Sequence, residues 1–132
     1  MKRWRWLEAA DLIAMHREVV AEFGGPPGLR DQALLESAAA RPKHLAAYGP
    51  ASAFELAAAY AYGLARNHPF IDGNKRISLI AAFTFLALNG WEVEAEEAAT
   101  VLVFLDLAAG KLDVKHLARW QERNSRAVPG AR

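Results

Sequence analysis

Ten consecutive residues, Asn67-His-Pro-Phe-Ile-Asp-Gly-Asn-Lys-Arg76, carry an imidazole, a carboxylate, two amides, an ammonium and a guanidinium. They lie between two segments that are apolar nearly all round, and helices of that kind occupy the middle of a domain. Polar groups placed where core helices meet are costly unless they line a pocket. The residue types fit phosphoryl transfer, which needs an anion cradle, a metal ligand and a base. Gly73 and Asn74 open a predicted helix, whose free N–H groups and positive dipole end suit a phosphate. Lys75 adds a point charge and Arg76 a planar fork matched to phosphate oxygens. Asp72 is a candidate Mg²⁺ ligand, because that ion takes one carboxylate together with phosphate oxygens and water. His68 is placed to take a proton from an attacking hydroxyl. Pro69 stiffens the loop, and Phe70 points inward as its anchor.

Each residue also has a structural alternative. His68 reads equally as a turn histidine, Asp72 as the N-cap of the following helix, and Asn74 as a local turn former. Lys75 and Arg76 as plain solvated charges are disfavoured, since positive charge is unfavourable at a helix N-terminus. Outside this segment, His16 reads as a hydrogen-bonded packing residue, and His44 and His116 as exposed. The histidines show no metal-ligand spacing, and Gly73-Asn-Lys-Arg lacks the earlier glycine and the Lys-Ser/Thr of a Walker loop. Trp4, Trp6, Trp91 and Trp120 read as packing groups rather than a base-stacking surface. Arg30 and Asp31 are either a helix-start pair or an approach to the pocket.

The elements that must position these groups are helices, divided by glycine and proline. The first runs from about Glu8 to Phe23 and stops at Gly24-Gly-Pro-Pro-Gly. A short second helix starts at Asp31, passes Leu34 and Leu35 and ends near Pro42. Residues Pro42 to Pro50 read as a loop, either an ordinary connection or a flap over a target peptide. Ser52 with Glu55 three residues later is a capping box for the third helix, which continues to about Arg66. The fourth runs from about Gly73 to the stop signal Asn89-Gly90, and two more cover about Glu94–Ala109 and Val114–Arg126, the last capped by Asp113. Strand-like alternation is nearly absent, so the expected class is all-α, a single domain over 1–132 with a buried central helix pair.

Composition narrows the function. With 132 residues the chain can bury one core unaided, and the absence of cysteine excludes disulfides and thiolate metal sites. A net charge of +1 argues against an electrostatic footprint for nucleic acid, so no direct nucleic-acid binding is expected. Glu8, Asp11 and His16 interrupt the apolar run a signal peptide needs. No uncharged apolar run reaches the roughly 18 residues of a membrane span. The expected location is the cytoplasm.

The segment His68-Pro-Phe-Ile-Asp-Gly-Asn-Lys-Arg76 resembles the signature of the Fic/Doc superfamily, specifically its death-on-curing (Doc) branch. The wider Fic pattern reads His-Pro-Phe-x-Asp/Glu-Gly-Asn-Gly-Arg with a further arginine. Lys75 stands here in place of the second glycine and Leu79 in place of that last arginine, and both departures match the Doc variant. Phe23-Gly-Gly-Pro-Pro-Gly-Leu-Arg-Asp, Leu34-Leu-Glu-Ser-Ala-Ala-Ala-Arg-Pro, Leu86-Ala-Leu-Asn-Gly and Ala108-Ala-Gly are similar to the family too, so the likeness spans about Trp4 to Trp120.

The resemblance implies a six-helix Fic/Doc fold and the toxin of a type II toxin-antitoxin system. It further implies a protein kinase that passes the ATP γ-phosphate to a hydroxyl of elongation factor Tu and arrests translation. Carried onto this chain, His68 activates the hydroxyl, Asp72 holds Mg²⁺, Gly73 and Asn74 form the anion hole, and Lys75 and Arg76 bind nucleotide phosphates. Leu79 removes a phosphate contact used by AMP-transferring relatives, which implies a reversed nucleotide orientation. The self-inhibitory Ser/Thr-x-x-x-Glu-Gly/Asn motif of other relatives is absent. Inhibition in trans is therefore expected, by a Phd-like antitoxin segment folding into an apolar groove. The competing functions are Fic-type AMP transfer and an inactive binding or regulatory protein on the same fold.

Overall fold

The computed structural model describes residues 3–129, so residues 1, 2 and 130–132 of the expected single domain lie outside the described residues. The described residues form six helices: α1 (Ala9–Phe23), α2 (Gln32–Ala47), α3 (Ala53–Asn67), α4 (Asn74–Leu88), α5 (Glu97–Ala108) and α6 (Val114–Arg123). Two short strands, β1 (Trp91–Val93) and β2 (Ser125–Ala127), complete the order, with β1 between α4 and α5 and β2 after α6. The fold is all-α in class, as expected.

Local chemistry sets several helix starts. The Ser52 hydroxyl accepts from the Glu55 N–H at 3.1 Å while the Glu55 carboxylate accepts from the Ser52 N–H at 2.7 Å, the reciprocal box expected for α3. Asp31 accepts from the Leu34 N–H to start α2, and Asp113 from the His116 N–H to start α6.

α3 is the hub. Eleven of its fifteen residues are buried, so neighbours cover it on nearly every side, with α4, α2 and α6 packed closest. Its small side chains permit that approach. A Cβ on Gly63 would meet Ala38 of α2 at 3.2 Å, so glycine lets the two helices cross closely. One hydrophobic cluster draws side chains from all six helices. The tryptophans pack as expected, Trp4 and Trp6 against Phe85, Trp91 against Phe54 and Trp120 against Phe104.

Three expectations about element boundaries are corrected. α2 does not end near Pro42 but continues to Ala47, so the proposed flap over 42–50 shrinks to a brief connection after the helix. Pro42 costs the helix one backbone bond, and its ring is buried against the neighbouring helices. The last helix stops at Arg123 rather than Arg126, because residues 125–127 pair antiparallel with 91–93 in the register Trp91–Ala127, Glu92–Arg126, Val93–Ser125. The Arg126 guanidinium bridges Glu92 at 2.6 Å and Glu94 at 2.8 Å on the exposed face of this ribbon. With Glu94 engaged there, α5 begins at Glu97 rather than Glu94. Among the described residues no helix is long and apolar enough to cross a membrane.

Candidate active site

The signature residues sit at the break between the two central helices. His68 ends α3 in the left-handed region (φ 49°, ψ 55°), the one non-glycine residue with positive φ among those described. That conformation costs energy for a residue with a Cβ, and two features brace it. The Arg30 guanidinium donates to the carbonyls of His68 at 2.6 Å and Asn67 at 2.8 Å, satisfying the exposed C-terminus of α3. Behind it, the buried Pro69 carbonyl accepts from the N–H groups of Arg30 and Asp31. The question left open by the sequence is thereby resolved: Asp31 caps α2, and Arg30 braces the histidine turn.

Phe70 is buried, as expected of the loop's anchor. Asn74 plays a different part from a simple turn former. Its side-chain amide is buried, accepting from the Phe70 N–H at 3.0 Å and donating to the Phe70 carbonyl at 2.9 Å. The amide is therefore spent on shaping the loop, and what Asn74 offers an anion is its backbone N–H. The N-cap of α4 is Gly73 (φ 80°), with no side-chain cap, so Asp72 is not the N-cap. Its exposed carboxylate has no partner among the described residues.

The first hydrogen bond of α4 runs from the Ile77 N–H to the Gly73 carbonyl, leaving the N–H groups of Asn74, Lys75 and Arg76 unpaired among the described residues. Lys75 and Arg76 are exposed and neither pairs with a carboxylate. The Arg76 guanidinium instead lies 3.8 Å over the ring of Phe23 at the end of α1, a contact the sequence reading missed.

These groups open onto a cleft of about 940 Å³. One end is polar and is lined by His68, Asp72 and Gly73 through Arg76. The other is largely apolar, lined by Leu79, Ile80 and Phe83 of α4 and Val101, Phe104 and Leu105 of α5, with Glu97 and Thr100 of α5 beside them. Imidazole, carboxylate, open helix N-terminus and cations thus share one cavity.

Asp72 could hold Mg²⁺ only together with the oxygens of a bound phosphate. Asp72 supplies one free hard oxygen donor, and among the described residues no group of three or more His, Asp or Glu forms a cage. Ions of this kind are held by one or two carboxylates together with substrate phosphates. Gly25 matters to that carboxylate: a Cβ there, at φ 102°, would stand 2.7 Å from Asp72 Oδ2. Neither Gly25 nor His16, described below, carries a sequence signal for this role, since each is brought to Asp72 by the fold.

Residues 6–86 match the family model described as Fic/DOC family. The chain belongs to the Fic/Doc family. The match embraces the whole signature loop together with α1 to α3 and most of α4. Among curated relatives, the protein named "Protein kinase doc" from Escherichia phage P1 is 34% identical over 116 residues, covering 86% of this chain and 90% of that protein. The "Toxin Doc" of Mycolicibacterium smegmatis is 44% identical over 77 residues, covering 56% of this chain and 58% of that protein. Both relatives belong to the death-on-curing (Doc) branch, and the chain takes its place beside them.

Proposed function

We propose that this Doc-family chain is an ATP- and Mg²⁺-dependent protein kinase that phosphorylates a hydroxyl of a translation factor, with elongation factor Tu as the first candidate. The observation that carries the reading is the unpaired N-terminus of α4 opening into the same cleft as the free Asp72 carboxylate and the exposed His68 imidazole. The similarity to a relative named as a kinase supports it.

In this mechanism the N–H groups of Asn74, Lys75 and Arg76, with the Lys75 ammonium and Arg76 guanidinium, bind and orient the nucleotide phosphates. Asp72 would hold Mg²⁺, which when bound would neutralise charge on the phosphate oxygens. His68 accepts the proton of the target hydroxyl as its oxygen bonds to the γ-phosphorus. The bond from that phosphorus to the β–γ bridging oxygen breaks, and ADP leaves with the electron pair. Leu79 is an uncharged side chain half-buried against the core, and it adds no third cation to the phosphate site.

The apolar end of the cleft is the proposed seat of a Phd-like antitoxin segment. α5 carries Val101, Leu102 and Leu105 exposed next to it, an apolar surface of the kind an amphipathic segment covers. Seated there, it would border the phosphate site and silence it in trans in the cytoplasm.

The test is incubation with elongation factor Tu, Mg²⁺ and ATP labelled on the γ- or the α-phosphate, read by mass spectrometry. γ-Label on the target, reduced on the order of 10²–10⁴-fold by His68→Ala, is the expected result. α-Label would replace the kinase reading with nucleotide transfer. No transfer from either position by the folded protein would overturn the reading for this target.

A further inference from the structure

His16 lies outside the signature, on the buried face of α1, yet it touches the signature loop twice. Its Nε2 stands 2.7 Å from the Asp72 carbonyl oxygen, and its ring stacks on Phe70 with centroids 3.8 Å apart and planes 6° from parallel. A carbonyl only accepts, so Nε2 carries the proton and the tautomer is fixed. The stack holds the plane of the ring, and burial removes water as a competitor for the bond.

The consequence concerns the next peptide group. No peptide bond among the described residues is cis, and in a trans unit the C=O and N–H point in opposite directions. With the Asp72 oxygen pinned toward the buried imidazole, the Gly73 N–H faces the other way. It has no partner among the described residues, and Gly73 lines the cleft. Glycine on one side of this peptide makes its rotation cheap, so an outside clamp is what gives it a direction. α1 supplies that clamp. A Cβ on Gly73 would sit 3.4 Å from His16 Nε2 and 3.9 Å from Val19 Cγ1, so this backbone lies directly on the helix.

We infer that His16 is a positioning residue for the phosphate cradle: by holding the Asp72 carbonyl it aims into the cleft the N–H of Gly73, which the family resemblance places in the anion hole. The inference rests on the proposed phosphate-binding role of the α4 N-terminus. It assigns His16 no contact with substrate. Donors oriented before the ligand arrives cost no reorganisation when charge appears, which is how a residue behind the site strengthens it.

The experiment uses the full chain labelled with ¹⁵N, titrated with tripolyphosphate and with ATP·Mg²⁺, and followed at the Gly73 amide. Wild type is compared with His16→Phe, which keeps an aromatic stack without the donor, and His16→Gln, which restores a donor. Thermal denaturation is recorded for each. The expected result is a saturable Gly73 shift in wild type and H16Q, and binding weakened on the order of tenfold in a still-folded H16F. Equal affinity and an equal Gly73 shift in H16F would overturn the inference while leaving the phosphate site intact. Equal weakening in H16F and H16Q would also overturn it, since restoring the donor would then restore nothing. A wild type that binds neither ligand would remove the phosphate site and the inference with it.

Discussion

Asn74→Ala isolates the contribution of one amide to the signature loop. The wild-type side chain both accepts from and donates to the backbone of Phe70, at 3.0 and 2.9 Å, in a setting where Asn74 is 7% exposed. Alanine leaves a buried N–H and a buried C=O without partners, each costing about 1–3 kcal/mol. Allowing a water to enter the vacated space, the loss is about 2–4 kcal/mol. For a chain of this size that lowers the melting temperature by on the order of 10 °C. Asn74→Asp refines the test, because it retains the acceptor for the Phe70 N–H but turns a negative oxygen toward the Phe70 carbonyl. It should destabilise at least as much as alanine. The assay is thermal denaturation together with hydrogen exchange at the Phe70 amide, whose protection should fall in Asn74→Ala. A variant melting within about 2 °C of wild type, with Phe70 protection unchanged, would refute the claim that this amide holds the loop.

The remaining predictions address contacts at and behind the site. Gly25→Ala would drive a Cβ toward Asp72 Oδ2, and apparent Mg²⁺ affinity should fall on the order of tenfold in a titration of nucleotide binding. Phe23→Ala removes the ring under Arg76, and nucleotide affinity measured by calorimetry should drop about two- to fivefold. Tyr60→Phe leaves the Leu7 N–H and C=O unpaired, since the phenol oxygen accepts from one at 2.8 Å and donates to the other at 2.9 Å. It should cost about 1–3 kcal/mol in denaturant unfolding and leave nucleotide affinity unchanged. Burial pushes the Tyr60 phenol above the ordinary tyrosine range, so the folded state keeps a proton that the unfolded chain releases. Stability from this group is present below about pH 10 and lost as pH rises beyond it. Unfolding curves of wild type should therefore fall more steeply in alkali than those of Tyr60→Phe.

How readily each part could be read from the sequence follows the distance over which it is encoded. The signature is contiguous, so the chemistry of His68, Asp72 and the cations was visible as residue types between two apolar segments. The caps at Asp31, Ser52 and Asp113 were legible for the same reason: each bonds a backbone group three residues on, within a single turn. The central placement of α3 followed from its apolar character on all sides.

Tertiary structure decided what depends on partners far along the chain. Pro42 ordinarily stops a helix, yet α2 carries it buried against the core and continues to Ala47. Residues 125–127 have no strong local strand signal and become a strand because β1 offers pairing and Glu92 and Glu94 await Arg126. Arg30 reaches the His68 carbonyl across 38 residues of sequence, and His16 reaches the Asp72 carbonyl across 56. By itself the sequence determined which groups can do chemistry and which helices carry them. Which backbone atoms are held, and in what direction the loop's N–H groups point, was settled only when α1 and the 24–31 segment closed onto the turn between α3 and α4. A hydrogen bond constrains direction only once both partners have been brought together, and no local propensity brings residues so far apart into contact.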